Sequence, residues 1–188
     1  MNYLPNILSL VRIILVPLIL WLLIQDLFVI SAITISIVGL TDYFDGYLAR
    51  KYNSESLVGF YLDAIADKIL IITTYLILGI KLLLPTYLII LIVFREALVS
   101  GAYLLKFLLD LKFNLKPILI SKINTFLQIA LIVFVCLFTI NQFNQLETVM
   151  IVRNFLIAIV TITTIVSLLL YIIISVSYTH LTLPTRDD

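Results

Sequence analysis

Six apolar stretches fill most of the chain between Ile13 and Val176, and short polar breaks separate them. The hydrocarbon core of a bilayer takes about 20 helical residues to cross. Within it only helices and closed barrels satisfy their own backbone polar groups. The stretches run from about Ile13 to Ile24, Leu27 to Lys51, Leu57 to Ile80, Thr86 to Leu105, Pro117 to Ile140 and Glu147 to Val176. The last is over-long, which predicts tilt or a start outside the hydrocarbon. With 63% hydrophobic and only 12% charged residues, the chain lies far outside the range of a soluble domain. The expected fold class is all-α: a polytopic membrane protein with six transmembrane helices and a short N-terminal interfacial segment. That segment covers Met1 to Ser9, with Tyr3, Leu4, Ile7 and Leu8 lying on the bilayer surface, and Pro17 is expected to kink the first span.

An even number of spans puts both termini on one side. Arg12, Arg50, Lys51, Lys68, Lys106, Lys112, Lys116 and Lys122 fall on that side, against Lys81 and Arg153 on the other. Basic residues concentrate in cytoplasmic loops, so the termini and the lysine-rich fourth connection are expected inside. A net charge of +1 without a basic cluster gives no basis for nucleic-acid binding. The one cysteine, Cys136, lies in an apolar run and reads as a packing residue. No basic stretch precedes the first apolar run, so it is not read as a cleavable signal. From about Ser175 the text SVSYTHLTLPTRDD is expected to continue no helix. It reads as a non-native tail over 177–188, appended to a single membrane domain over 1–176, with His180 incidental.

Carboxylates at the edge of this hydrocarbon make the most informative stretch. Asp42 and Asp45 are three residues apart and Asp63 and Asp67 are four apart, so each pair shares one helix face. Gly46, Ala49 and Gly59 leave room for close helix approach and for a ligand between the helices. Four clustered carboxylates need cations beside them. Two facing helices of this kind would form an all-oxygen site for one or two Mg2+ or Mn2+ ions. The plainer alternative is helix capping and pairing with Arg50, Lys51 and Lys68.

The string Asp42-x2-Asp45-Gly46-x2-Ala49-Arg50-x8-Gly59-x3-Asp63-x3-Asp67 resembles, at every specified position, the signature of the CDP-alcohol phosphatidyltransferase family. The resemblance covers about Leu4 to Ile174. It implies a six-helix membrane enzyme that uses divalent metal to displace CMP from CDP-diacylglycerol with an alcohol. It also implies that Asp42, Asp45 and Asp63 chiefly hold metal, with Asp67 beside them and nearest the attacking hydroxyl as catalytic base. Gly46, Ala49, Arg50 and Gly59 would receive the cytidine diphosphate. A bacterial inner membrane with the active site facing the cytoplasm, phospholipid biosynthesis, and pairing as a homodimer all accord with that reading.

Two further stretches bear on the acceptor. ISKINTFLQIA, Ile120 to Ala130, resembles the SKxNTxxQ stretch of CMP-forming cardiolipin synthases, and less closely the GKxKTxxQ stretch of phosphatidylglycerolphosphate synthases. Lys122 there is expected beside a phosphate, the plainer reading being capping and interhelical hydrogen bonds. In FREALVSGAY, Phe94 to Tyr103, a tyrosine stands where phosphatidylglycerolphosphate synthases commonly carry an arginine. Arg95 is weighed equally as a substrate ligand and as the partner of Glu96 within the bundle. The expected acceptor is phosphatidylglycerol, giving cardiolipin; the alternative is glycerol 3-phosphate. A small transporter using the aspartates as an ion relay would instead place carboxylates at midplane and show internal repeats. A silent membrane scaffold would not need intact metal and nucleotide residues together.

Overall fold

The computed structural model describes the backbone of residues 4–52, 57–108, 119–139 and 146–182, and side chains over 14–41, 67–101, 119–139 and 146–173. Six helices account for it: α1 (Leu4–Ile24), α2 (Phe28–Tyr52), α3 (Leu57–Ile80), α4 (Thr86–Leu108), α5 (Leu119–Phe138) and α6 (Glu147–Thr182). The fold is all-α, as composition and run length require.

Two boundaries differ from expectation. The residues expected as a separate interfacial segment are the first turns of α1, which starts at Leu4 and continues through Pro17. Pro5 falls in the first turn, where its missing N–H has no helical partner to lose, so nothing breaks the helix there. At the other end α6 runs on to Thr182, into the text expected to continue no helix. No Gly or Pro interrupts 175–182, and adding residues to an existing helix is far easier than starting one. Pro184 is the first breaker after Glu147.

The helices close into a ring. α1 packs against α2 and α3, α3 against α4, α4 against α6, α6 against α5, and α5 against α2, while α5 also meets α3 across the ring. Thus α1 and α5 each bridge α2 and α3. Ile19 and Leu23, Tyr75 and Leu78, Leu88 and Ile92, Leu131, and Val160 are fully buried at the centre. Gly79 lets α3 and α4 meet closely, because the Ile89 side chain occupies the place a Cβ at residue 79 would take. Hydroxyls on the apolar helices fold back onto carbonyls one turn earlier, as Ser31 does to Leu27 (3.0 Å) and Ser36 to Ala32 (2.8 Å).

Both α1 and α3 end in the same way. Leu27 N–H donates to Leu22 O and Leu83 N–H to Leu78 O, each at 3.0 Å. Asp26 and Leu82 take left-handed backbone, φ 60° and 55°, to make these caps without glycine. Lys81 ties the turns together: its Nζ donates to Ile24 O (3.1 Å), pairs with the Asp26 carboxylate and lies 5.6 Å from the centroid of the Phe28 ring.

Among the described residues the outer surface is largely apolar. Ile14 and Trp21, Ile30 and Ile37, Ile80, Ile90 and Phe94, Phe126, and Phe155 and Ile162 are exposed on successive helices. Among the described residues, Leu119–Phe138 and Glu147–Ile173 are long and apolar enough to cross a membrane, and Ile14–Ile24 and Phe28–Thr41 form shorter apolar helices. Such an exterior is stable against lipid and not against water, so the chain is an integral membrane protein.

Candidate active site

The four aspartates lie on helical backbone, as their spacing predicts. Asp42, Asp45, Gly46, Ala49 and Arg50 fall in the last three turns of α2, and Gly59, Asp63 and Asp67 in the first three of α3. The connection 53–56 joins these helix ends, so both pairs sit at one end of the bundle. The side chains of Asp42, Asp45, Gly46, Ala49, Arg50, Gly59, Asp63 and Tyr103 lie outside the described residues. Asp67 is half-buried and held by an interaction. Among the described residues no three carboxylate, histidine or cysteine groups come together.

Immediately after Asp67 the structure builds a buried charge cluster. Lys68 of α3 pairs with Glu96 of α4, and Glu96 also pairs with its neighbour Arg95. Arg95 and Glu96 are both 0% exposed, which in an apolar bundle is tolerable only with charge compensation and hydrogen bonds. The guanidinium reaches two more helices: Nη2 donates to Ser121 of α5 and to Ser167 of α6, the latter at 3.1 Å. Nε has no protein partner among the described residues. Two cations, Lys68 and Arg95, share the Glu96 carboxylate here, and Asp67 adds a second carboxylate beside them.

The polar strip continues down α5. Ser121, Asn124 and Gln128 recur at helical spacing on one face, and Asn124 and Gln128 are fully buried. The Asn124 amide meets Thr163 (2.8 Å) and Thr164 (2.9 Å) of α6. The Tyr75 hydroxyl donates to the Gln128 carbonyl at 3.0 Å, joining α3 to α5 at that depth. Lys122, expected beside a phosphate, is exposed and outside this buried cluster.

Of the residues singled out from sequence, the structure unites Arg95 and Glu96 and brings Ser121 to them. Lys68, Ser167 and the Thr163–Thr164 pair were not foreseen as members. Their signal was available: hydroxyl and charged residues at i, i+3 and i+4 inside otherwise apolar helices mark faces turned to the bundle interior.

A ring of six helices with an apolar exterior, with paired aspartates on two helices at one end and a charge cluster of Lys68, Arg95 and Glu96 next to Asp67, defines an all-α integral membrane protein. A family model for CDP-alcohol phosphatidyltransferase matches residues 2–166. The chain belongs to that family. It is 36% identical over 144 residues to a CMP-forming cardiolipin synthase of Homo sapiens, covering 68% of this chain and 48% of the human protein. It is 36% identical over 138 residues to a CDP-diacylglycerol–glycerol-3-phosphate 3-phosphatidyltransferase of Blochmanniella floridana, covering 70% of this chain and 73% of that one. The protein of the same name from Aquifex aeolicus is 31% identical over 178 residues, 93% of both chains. The chain thus spans about half the length of the human relative and nearly all of the Aquifex one.

Proposed function

We propose that the protein transfers the phosphatidyl group of CDP-diacylglycerol to glycerol 3-phosphate, with release of CMP. The observation that carries this reading is the placing of two cations, Lys68 and Arg95, next to Asp67. A phosphomonoester dianion is the acceptor group such a cluster suits. The Blochmanniella and Aquifex relatives named for glycerol 3-phosphate match this chain over 73% and 93% of their own length. That shifts the acceptor from the phosphatidylglycerol expected on the Ser121 to Gln128 stretch to its alternative. Phosphatidylglycerol stays as the second reading on the strength of the human relative.

In this reading all six helices span the membrane, and the aspartate end faces the cytoplasm of a bacterial inner membrane, where nucleotide-activated lipid is available. The donor set of Asp42, Asp45, Asp63 and Asp67 is entirely hard oxygen on two helices bridged by α1 and α5. It fits Mg2+ or Mn2+. Such ions, when bound, polarise the phosphorus under attack and offset the charge of departing CMP. Gly46, Ala49 and Gly59 give the cytidine diphosphate close backbone approach, and Arg50 forks onto its phosphates. Arg95 and Lys68 hold the acceptor phosphate. Asp67 takes the proton of the acceptor hydroxyl as that oxygen bonds to the phosphatidyl phosphorus and the bond to CMP breaks. Lys122, at the exposed end of α5, draws anionic substrate and lipid to the site.

The test offers purified protein in vesicles labelled CDP-diacylglycerol and Mg2+, with glycerol 3-phosphate or phosphatidylglycerol, and scores CMP and lipid product. Glycerol 3-phosphate should be consumed at least about tenfold faster, the step a dianion gains from one added charge-assisted contact. The reverse ratio would restore the cardiolipin reading.

A further inference from the structure

The charge cluster accounts for a phosphate but leaves four buried polar groups below it unexplained. Gln128 is 0% exposed, yet neither its Oε1 nor its Nε2 has a protein partner among the described residues. Asn124, also 0% exposed, leaves Nδ2 without one, and Thr74 leaves Oγ1. The Asn124 amide has its other end on Thr163 and Thr164. Whichever way that amide is turned, one of its two polar atoms faces no protein group. An unsatisfied buried polar atom costs about 1–3 kcal/mol, so a cluster of them on adjoining helices is an expense a purely structural core would avoid.

Position and chemistry connect these groups to the acceptor. Asn124 lies one turn and Gln128 two turns beyond Ser121, roughly 4.5 and 10 Å along α5 from the residue that meets Arg95. Thr74 precedes Tyr75 on α3, and the Tyr75 hydroxyl donates to Gln128 O of α5. The free groups comprise amide donors, an amide acceptor and a hydroxyl, with no charge. That set matches alcohol groups, whereas the cluster above matches phosphate.

We infer that Asn124, Gln128 and Thr74 form the floor of the acceptor subsite and read the secondary hydroxyl of its glycerol unit. The inference rests on the proposed transfer to a glycerol-bearing acceptor. Glycerol 3-phosphate and the headgroup of phosphatidylglycerol both carry that hydroxyl beside a phosphate. A pocket whose polar groups are satisfied only by a substrate hydroxyl rejects the analogue that lacks it, because binding the analogue leaves those groups unpaired.

The experiment compares glycerol 3-phosphate with 3-hydroxypropyl phosphate, which lacks only the middle hydroxyl, using full-length protein in vesicles with CDP-diacylglycerol and Mg2+. Wild type should prefer glycerol 3-phosphate by at least about a hundredfold in kcat/KM. Gln128→Met, which keeps shape and removes the amide, should narrow that ratio to within about tenfold through loss on glycerol 3-phosphate alone. Its melting temperature should equal or exceed that of wild type, since it deletes two unpaired polar atoms. Equal use of both acceptors by wild type, or an unchanged ratio in Gln128→Met, overturns the inference. Should Gln128→Met not fold, the wild-type ratio decides alone. If only phosphatidylglycerol is consumed, the choice of glycerol 3-phosphate falls. The hydroxyl floor then stands or falls on the same comparison between phosphatidylglycerol and phosphatidyl-1,3-propanediol.

Discussion

Arg95 and Glu96, adjacent in sequence, form a fully buried ion pair whose two members also reach three other helices. Glu96 extends to Lys68 of α3, and Arg95 to Ser121 of α5 and Ser167 of α6. The pair serves as a bundle fastener, and in the proposed reaction its Arg95 member also anchors the phosphate. The two roles that sequence weighed as alternatives for Arg95 are compatible, because Nε stays unspent when Nη1 and Nη2 are engaged.

Removing the shared carboxylate leaves the buried Arg95 and the partly exposed Lys68 without the charge that joins them. Glu96→Gln should destabilise the protein by about 3 kcal/mol, within the usual cost of breaking a buried pair. Ser167→Ala, which removes one neutral acceptor, should cost only about 1 kcal/mol. Thermal unfolding in detergent checks the ranking. Arg95→Lys should not rescue function, because an ammonium cannot reach Glu96, Ser121 and Ser167 together.

Asp45→Asn and Asp63→Asn should each lower CMP release by about a hundredfold or more while membrane levels stay at wild type. Each change removes charge with little change of shape. A variant that keeps above about a tenth of the wild-type rate at saturating Mg2+ would remove that aspartate from the metal set.

Leu82 caps α3 in left-handed backbone and is 87% exposed, so its side chain contributes little packing. Leu82→Gly should stabilise by up to about 1 kcal/mol, and Leu82→Val should destabilise, since a β-branched residue fits that region worst. Paired melting curves for the two variants test the sign. Equal shifts would mean that the backbone conformation is not what limits this turn.

Topology has its own test. In a Cys136→Ser background, cysteines at Asn53 and Asn114 should react with an impermeant maleimide only from the cytoplasmic side, and one at Asn144 only from outside. Labelling of Asn53 and Asn144 from one face would break the six-span arrangement.

The sequence by itself determined whatever depends on local periodicity and on composition. Uninterrupted apolar runs set the six helices, and spacings of three and four residues put Asp42 with Asp45, and Asp63 with Asp67, on helical faces. The signature they carry was enough to identify the family. Helix ends were less legible, as at Leu4 and Thr182, because helix propagates into any neighbouring residues that do not break it. Tertiary structure alone decided that Lys68, Glu96, Arg95, Ser121 and Ser167 meet, residues drawn from four helices, with the Arg95–Ser167 bond joining positions 72 apart. It also decided that the Gln128 side chain is buried without a partner among the described residues while Lys122 is exposed. The reason is physical. In a helix destined for lipid, outward and inward faces are both apolar, so hydrophobic periodicity does not reveal which helix lies beside which. Only packing resolves that, and with it which buried polar groups are satisfied and which are left for a ligand.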